Sequence, residues 1–205
     1  MERNEGLRKI LNLSAGYELF QILVGAKRGV RWLSEHHWRV GEGMTVVDVG
    51  CGPARLRSEF PEQIRYFGFD PNQNYIETAR HRQKGTFHTG GMSDFLDCHG
   101  EALAGQVDLV ICSGVLHHLL DTQIEEVLKG SCHLLKRGGR FAALEPTKLA
   151  KQDACSRWVI SKDRGMNLLF DWEWTHLLDR HFPRTKTQVI NNLLRIPYTH
   201  ALLTG

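Results

Sequence analysis

From Thr45 to Leu144 the sequence alternates short apolar runs with segments of helical periodicity. This alternation is typical of a parallel sheet that helices cover on both faces. It predicts five strands, at Thr45–Val49, Tyr66–Phe69, Gly85–His88, Val107–Cys112 and Gly139–Leu144. It also predicts helices between them, at Leu56–Phe60, Asn74–Gln83 and Thr122–Leu135. The chain is therefore expected to adopt an α/β fold.

The two ends of the chain depart from this alternation. Apolar residues in 1–40 have helical spacing, and four glycines (Gly6, Gly16, Gly25, Gly29) are expected to divide the region into short pieces. Residues 147–182 predict a loop and then a helix from about Trp172 to His181. The strand-like runs Lys186–Ile190 and Tyr198–Leu203 are expected to pair antiparallel at one edge of the sheet. We expect one domain over 1–205, with a helical cap (1–43), a ligand-binding core (44–145) and a substrate-side helix with a terminal strand pair (146–205).

Composition narrows the class of protein. The 205 residues are 41% hydrophobic and 24% charged, which is typical of one globular domain. The net charge is only +3 and no dense basic stripe is present, so a nucleic-acid partner is not expected. The sequence contains neither a membrane-span pattern nor a signal-peptide pattern, which favours a cytoplasmic location. The five cysteines form no C-x-x-C pair, which argues against disulfides and structural zinc.

The run Thr-Val-Val-Asp-Val-Gly-Cys-Gly-Pro-Ala (45–54) places a glycine loop directly after the first strand. Ligands of open parallel sheets bind beyond the carboxyl ends of the strands, and Gly50 and Gly52 occupy that position. The dinucleotide pattern G-x-G-x-x-G fails because Arg55 stands at the third glycine position, and no phosphate-binding G-x-x-x-x-G-K-[ST] loop is present. The Asp48 carboxylate would repel a pyrophosphate but suits an ammonium or sulfonium group. A tight turn without a ligand remains the alternative for the glycines alone.

Asp70 ends the second strand, about 20 residues beyond the glycine loop. An acidic side chain at this offset, on the strand beside such a loop, accepts hydrogen bonds from ribose hydroxyls. An Asp-Pro dipeptide at a strand end is by itself a common turn. Together with the glycine loop, Asp70 predicts that an adenosine ribose is bound.

These residues resemble the class I methyltransferases that use S-adenosylmethionine. Val-Asp-Val-Gly-Cys-Gly-Pro-Ala (47–54) is similar to the family's first motif, with Ala54 where a third glycine is frequent. Further similar segments are Gly91–Phe95, Val107–Leu119 and Leu134–Phe141. The resemblance implies a Rossmann-like methyltransferase fold, with a mostly parallel seven-stranded sheet, an antiparallel edge strand and helices on both faces. It also implies S-adenosylmethionine as the methyl donor and S-adenosylhomocysteine as the product.

The resemblance further implies a set of cofactor-binding residues. Asp94 would accept a hydrogen bond from the adenine amine, and Met92 and Phe95 would flank the ring. Tyr17 and Gln21, one helical turn apart, are expected to form a lid, with the Tyr17 ring near the sulfonium. The alternative is that Tyr17 is a core residue of an amphipathic helix. The full predicted set is Tyr17, Gln21, Asp48, Gly50, Cys51, Gly52, Asp70, Pro71, Asn72, Met92, Asp94, Phe95, Ser113 and Gly114.

His117 and His118 follow the fourth strand, on the ligand side of the predicted sheet. A histidine there could accept a proton from the methyl acceptor near neutral pH. Because neighbouring side chains point in different directions, one of the two is expected to face the substrate, and His118 is our choice. The alternative is that both histidines only pack or orient the loop. Neither this pair nor His36-His37 has the spacing of metal ligands on a helix, so no metal is expected.

Other parts of the chain are similar to a bacterial subgroup of the family that is often met in surface-polysaccharide and secondary-metabolite pathways. These parts are 13–26, Tyr75-Ile76 and 195–200. The subgroup's Asp-Arg-Gly is present at 163–165, but Leu168-Leu169 and Trp172–Trp174 replace the residues that follow it. Asp163, Arg164, Trp172 and Trp174 are the candidates for substrate binding.

A methyltransferase acting on a small molecule is therefore the leading hypothesis. A non-catalytic S-adenosylmethionine-binding partner or sensor would share the same cofactor residues. A nucleic-acid or protein methyltransferase ranks third, because the loop Ser113-Gly114-Val115-Leu116 lacks the Asn/Asp-Pro-Pro-aromatic element of many base methyltransferases. The acceptor and the oligomeric state are not determined by the sequence.

Overall fold

The computed structural model describes residues 26–161, 165–191, 193–194 and 196–205. Helices and strands alternate along this part of the chain. The helices, numbered from the first one described, are α1 (Ala26–Leu33), α2 (Gln73–Arg82), α3 (Met92–Leu103), α4 (Asp121–Leu134), α5 (Ala154–Ile160) and α6 (Asp171–Asp179). The strands are β1 (Thr45–Val49), β2 (Arg65–Asp70), β3 (Thr86–Thr89), β4 (Val107–Ser113), β5 (Leu135–Pro146), β6 (Lys186–Ile190) and β7 (His200–Thr204). None of the described helices is both long and apolar enough to cross a bilayer.

All seven strands form one sheet in the order β3-β2-β1-β4-β5-β7-β6. The first five strands are parallel, whereas β7 runs antiparallel to both β5 and β6. The predicted fold class is confirmed. The reversed strand lies one position in from the edge, and β6 is the edge strand. The chain order changes direction between β1 and β4, which is where ligands bind in open α/β sheets.

Each face of the sheet is covered by helices because the strands carry apolar side chains on both faces. One buried cluster packs α3, α4 and α6 onto the sheet, for example through Phe95, Leu128 and Leu178. The opposite cluster packs α1 and α2, for example through Leu33 and Ile76. With both faces occupied, the carboxyl edge of the strands remains as the place where loops can form a site.

Strand β5 begins four residues before its predicted start at Gly139. Leu135 pairs with Val107, and the register then shifts before the regular pairing resumes at Arg140. A Cβ at Gly139 would lie 2.7 Å from the Val107 carbonyl oxygen. The polar and glycine residues at this irregularity concealed the first part of the strand from sequence analysis.

Helix α3 was not predicted, the helix predicted at Leu56–Phe60 is a 3-10 helix at Arg55–Glu59, and two further predictions about helices were wrong. Gly29 does not interrupt the N-terminal region but lies inside α1, where a Cβ would lie 3.0 Å from Leu193 Cγ. This glycine therefore permits close packing. The segment predicted as a loop after β5 contains α5, which begins after Asp153, whose carboxylate accepts a hydrogen bond from the Ser156 N–H at 2.9 Å. This is an N-cap, and its Asp-x-x-Ser signal was overlooked.

Candidate functional site

The glycine loop after β1 turns through three residues with positive φ, namely Gly50 (63°), Gly52 (53°) and Ala54 (55°). A Cβ on Gly50 would lie 2.5 Å from Val115 Cγ2, so the loop passes directly against the segment that follows β4. Ala54 stands where a third glycine is frequent in the family, and its left-handed conformation costs roughly 1–2 kcal/mol relative to glycine. Because Val115 occupies the space of a side chain, position 50 of this loop requires glycine.

Asp70, at the end of β2, is hydrogen-bonded directly to the glycine loop. Its Oδ2 accepts from the Gly52 N–H at 3.0 Å and its Oδ1 accepts from the Asn72 N–H at 2.8 Å. Partial burial raises the pKa of the Asp70 carboxyl, and these two backbone hydrogen bonds oppose that rise. Each carboxylate oxygen retains a further acceptor position, so the group can also bind two hydroxyls. The structure brings together the two features from which a ribose site was predicted.

The residues that follow Asp70 shape the turn into α2. Asn72 caps the helix, with its side-chain oxygen accepting from the backbone N–H groups of Asn74 and Tyr75. Pro71 and Asn72 are exposed at the carboxyl edge of the sheet. Tyr75, which was not among the predicted site residues, is also exposed and lies beside Gly52. An exposed aromatic ring in the first turn of this helix was the overlooked sequence signal.

Asp48 lies within β1 and is only 1% exposed. Its Oδ2 accepts a hydrogen bond from the Tyr66 hydroxyl on the neighbouring strand β2. Burial raises the pKa of the Asp48 carboxyl to about 7, the Tyr66 hydrogen bond opposes this rise, and nearby Asp70 adds to it. Asp48 is therefore partly protonated near neutral pH, and it links two strands under the loop. The predicted contact of Asp48 with an ammonium group stays a prediction.

Cys51 contributes to the loop through its backbone. Its N–H donates to the Phe69 carbonyl at 3.0 Å, and its side chain is buried against Gly68 on β2. Burial raises the pKa of the Cys51 thiol well above its usual range. This cysteine is consequently a small apolar residue that fixes the loop.

The roles predicted for Met92 and Phe95 are corrected by the structure. Both side chains are buried in the core, and the Phe95 ring stacks on Phe69 with a centroid distance of 4.7 Å. Their spacing of three residues places them on the inward face of α3, so they do not flank an exposed ring site. Asp94 is exposed and its Oδ2 accepts from the Gly91 N–H at 2.8 Å, which caps α3. Its predicted hydrogen bond with adenine remains untested.

The segment after β4 is tied to the end of β5. The Gly114 N–H donates to the Leu144 carbonyl at 2.8 Å, and Gly114 has a φ of 69°. Glu145, the next residue of β5, accepts hydrogen bonds from the backbone N–H groups of Val115, Leu116 and His117. Ser113 and Gly114 therefore lie at the carboxyl edge, beside β1, as predicted. Glu145 was not predicted, although an acidic residue at the end of an apolar strand was a visible signal.

The two histidines of this segment have different environments. His117 is 4% exposed, and its Nδ1 lies 2.5 Å from Glu145 Oε2. His118 is exposed, and the centroids of the two rings are 3.9 Å apart. The structure thus separates a buried histidine that is paired with a carboxylate from one at the surface.

The candidate substrate-binding residues also differ in their environments. Trp172 is 64% exposed, with its ring stacked near Phe170, so it is available to a ligand. Trp174 is fully buried, and its Nε1–H donates to the Pro146 carbonyl at 3.2 Å. The substrate role considered for Trp174 is therefore corrected, because its ring belongs to the core of α6. Tyr17, Gln21, Asp163 and Arg164 lie outside the described residues.

A cavity of about 390 Å³ lies beyond the end of β5. Thr147, which follows β5, donates its N–H to the carbonyl of Thr199, and Gln152 Nε2 donates to the Thr199 hydroxyl at 2.9 Å. These contacts place the cavity at the edge that carries the glycine loop. Its lining mixes apolar and polar side chains, namely Leu149, Lys151, Gln152, Asp153, Ser156, Asn191, Leu194, Ile196, Pro197 and Thr199. The described residues contain no group of three or more His, Cys, Asp or Glu side chains that could hold a metal ion.

Comparison with known proteins gives a consistent result. The model of a family described as a methyltransferase domain matches residues 47–141. A human thiol S-methyltransferase is 26% identical over 160 residues, which are 72% of this chain and 63% of that protein. A ubiquinone biosynthesis O-methyltransferase from Erwinia tasmaniensis is 28% identical over 110 residues, which are 53% of this chain and 44% of that protein. The chain thus spans less than two thirds of the length of these curated relatives.

Solved structures support the same fold. A methyltransferase from Archaeoglobus fulgidus that depends on S-adenosylmethionine has a TM-score of 0.70 at 16% identity, covering 92% of this chain and 98% of that one. A TehB-like methyltransferase from Corynebacterium glutamicum has a TM-score of 0.65 at 14% identity, covering 97% and 98%. The chain is thus similar to methyltransferase domains over residues 47–141, and its fold is that of S-adenosylmethionine-dependent methyltransferases. The bacterial subgroup suggested by its sequence stays a prediction.

The described residues fit S-adenosylmethionine, the cofactor of the methyltransferases that this chain resembles in fold. A ligand can approach the backbone at Gly52, where no side chain is present, whereas Val115 fills the corresponding space beside Gly50. Asp70 retains acceptor positions for two ribose hydroxyls while it is bound to the loop. Both features lie at the carboxyl edge, beside the change of chain direction between β1 and β4.

Proposed function

We propose that this chain transfers a methyl group from S-adenosylmethionine to a small-molecule acceptor. The observation that carries the proposal is the hydrogen bond from the Gly52 N–H to Asp70 Oδ2. It joins the glycine loop to Asp70, the acid that we propose binds the ribose, across two neighbouring strands. The similarity of residues 47–141 to a methyltransferase domain supports the same reaction.

The bound cofactor supplies an activated methyl group on a sulfonium, which leaves the protein mainly the task of positioning. Asp70 would orient the ribose, and the backbone at Gly50 and Gly52 would border the ligand. The segment from Ser113 to Val115 would limit movement of the bound cofactor on the side of β4. Such orientation can contribute roughly 7–11 kcal/mol to lowering a barrier between two reactants.

The cavity beyond β5 supports a small acceptor. Ligand sites usually have a volume of ~300–1,000 Å³, and this cavity of about 390 Å³ lies within that range. The segments that follow β5 and β6 and that precede β7 line this cavity, so it lies at the same edge of the sheet as the glycine loop but two to four strands away from β1. The relatives described as S- and O-methyltransferases also support a small acceptor, but they do not determine which atom of it is methylated.

The acceptor must lose a proton if it is an alcohol, amine or thiol. His117 and His118 follow β4 at the edge that carries the glycine loop, and a histidine in that position could take the proton. His118, which was chosen from the sequence, is exposed, whereas His117 is nearly buried. Trp172, with its exposed ring, remains a candidate for contacting the acceptor.

Turnover with an isotope-labelled donor tests the proposal. The purified chain is incubated with S-adenosylmethionine that carries a tritiated methyl group and with a fractionated pool of small metabolites. We expect label in a low-molecular-mass product and an equal amount of S-adenosylhomocysteine, and we expect Asp70→Ala to abolish both. Tight binding of the donor without any product in any fraction would contradict catalysis and favour the sensor hypothesis. Label found only in added RNA or protein would favour the third hypothesis.

A further inference from the structure

The Glu145 carboxylate is completely buried at the end of β5 and accepts four hydrogen bonds from one short segment. Oε1 accepts from the N–H groups of Val115 at 3.1 Å and Leu116 at 3.0 Å. Oε2 accepts from the His117 N–H at 3.3 Å and lies 2.5 Å from His117 Nδ1. A buried carboxylate with this many donors costs a large desolvation energy if any donor is lost.

The three backbone donors determine which atom carries the proton between Glu145 and the His117 ring. An N–H group can only donate, so both carboxylate oxygens act as acceptors toward the backbone, and we take them as acceptors toward the ring as well. The ring nitrogen at 2.5 Å must then be a donor as well. His117 therefore carries a hydrogen on Nδ1, and in the neutral ring Nε2 is the nitrogen with the lone pair.

The same carboxylate holds the segment against the cofactor loop. Ser113 pairs with Leu144, the Gly114 N–H donates to the Leu144 carbonyl, and Glu145 takes the next three backbone donors. The side chain of Val115 then fills the space that a Cβ on Gly50 would need. The position of His117 relative to the glycine loop is thus set by Glu145.

We propose that Glu145 is a positioning residue that holds His117 in the Nδ1–H form, so that Nε2 accepts the proton of the methyl acceptor. This inference rests on the proposed methyl transfer. The acceptor's heteroatom gives its proton to Nε2 and keeps the electron pair. It then bonds to the methyl carbon while the carbon–sulfur bond breaks and its electrons stay on sulfur. Glu145 balances the resulting imidazolium charge, and the proton later leaves to water.

This inference favours His117 over His118, which was chosen from the sequence. The two rings lie side by side, but the carboxylate bonds to His117. A ring held at a fixed angle by a buried partner loses little freedom when the substrate binds. A nearly buried ring also reacts in a site from which water is largely excluded.

Nitrogen NMR of the histidine rings tests the inference without any acceptor. Long-range ¹H–¹⁵N correlations distinguish the two neutral forms of each ring, and His117→Gln assigns the His117 signals. We expect the Nδ1–H form in the wild type and a mixture of both forms in Glu145→Gln. Glu173→Gln is the matched control, because Glu173 also accepts a backbone N–H, from Phe170, but contacts no described histidine ring. A wild-type His117 in the Nε2–H form overturns the inference even if Glu145→Gln fails to fold.

Turnover of the labelled acceptor fraction gives the second measurement. We expect His117→Gln and Glu145→Gln to lower kcat by roughly 100-fold with little change in the Kd of S-adenosylmethionine, and His118→Gln to retain kcat within about threefold. We also expect Glu145→Gln to displace the pH profile of kcat. Wild-type kcat in His117→Gln would overturn the inference. Absence of turnover in the wild type would contradict the proposed function instead, and the NMR result would then decide the role of Glu145 alone.

Discussion

Asp48 is a carboxyl group that the sheet keeps almost completely out of water. Its partner is the hydroxyl of Tyr66 on the neighbouring strand, and burial raises its pKa to about 7. The folded protein therefore binds a proton at Asp48 at pH values where the unfolded chain has already released it. This single residue couples the stability of the β1–β2 pair to pH.

Asp48→Asn is expected to remove this coupling. Between pH 4 and 7 the native state holds more protons than the unfolded state, so the free energy of unfolding falls as pH rises. The fall is up to about 4 kcal/mol for a pKa raised from 3.8 to about 7. Urea unfolding at pH 5 and pH 8 measures it, and the difference should shrink in Asp48→Asn. Tyr66→Phe should extend the fall to higher pH, because the hydrogen bond that opposes the rise in pKa is lost. An unchanged pH dependence in Asp48→Asn would contradict this interpretation.

The glycine loop and the segment after β4 act as one element, because each fills space left by the other. Gly50 needs a positive φ and has no room for a Cβ beside Val115. Gly105, in the turn between α3 and β4, has nearly the same φ of 64° but open space around it. Comparing substitutions at these two glycines therefore distinguishes the cost of backbone strain from the cost of the steric contact with Val115.

Gly50→Ala is expected to be clearly more damaging than Gly105→Ala. The backbone penalty of roughly 1–2 kcal/mol applies to both. Gly50→Ala adds about 1–3 kcal/mol for displacing Val115 and should weaken the binding of S-adenosylmethionine. Urea unfolding and calorimetric titration measure the two effects. Equal stability losses, with wild-type affinity in both variants, would show that the loop does not depend on this contact.

At the level of elements, sequence analysis correctly predicted the parts of the site where a short sequence pattern is typical of only one local structure. The bounds of β1 and β6 were predicted without error, and Gly50, Gly52 and Asp70 meet as expected. Met92 and Phe95 were misassigned because they lie on the side of α3 that packs into the core. A motif match places a helix near the ligand but does not show which of its side chains face the core. Glu145 was missed because its role depends on donors about 30 residues away in the chain.

At the scale of the whole molecule, the stability of the core depends on β7, the strand that runs antiparallel to its neighbours. β7 lies between β5 and β6, so its inward side chains complete the core from the far end of the chain. Leu203 is fully buried and pairs in register with Ala143 and Thr187. The antiparallel pairing of β6 and β7 could be predicted from the sequence. The position of β7 between β5 and β6 could not. β6 contains Lys186, Thr187 and Gln188 and has no buried residue, as expected of an edge strand, but the sequence of β7 does not by itself show which strands β7 lies between.

Leu203→Ala is expected to lower the free energy of unfolding by about 2–5 kcal/mol, as for other buried leucines that leave a cavity. Thr204→Ala, at the next position of the same strand, is the control and should cost less than about 1 kcal/mol because its side chain is partly exposed. Chemical unfolding followed by circular dichroism measures both. A small loss in Leu203→Ala would mean that β7 contributes little to the core.

We infer that the glycine loop and Asp70 together bind S-adenosylmethionine, and isothermal titration calorimetry measures this binding. The titration compares the wild type with Asp70→Ala and with Asp97→Ala, which removes an exposed carboxylate on α3. We expect saturable binding to the wild type and to Asp97→Ala, and an affinity at least about tenfold lower for Asp70→Ala, since hydrogen bonds to a charged group contribute ~1.5–3 kcal/mol. No binding at millimolar donor, or equal affinity in Asp70→Ala, would contradict the claim.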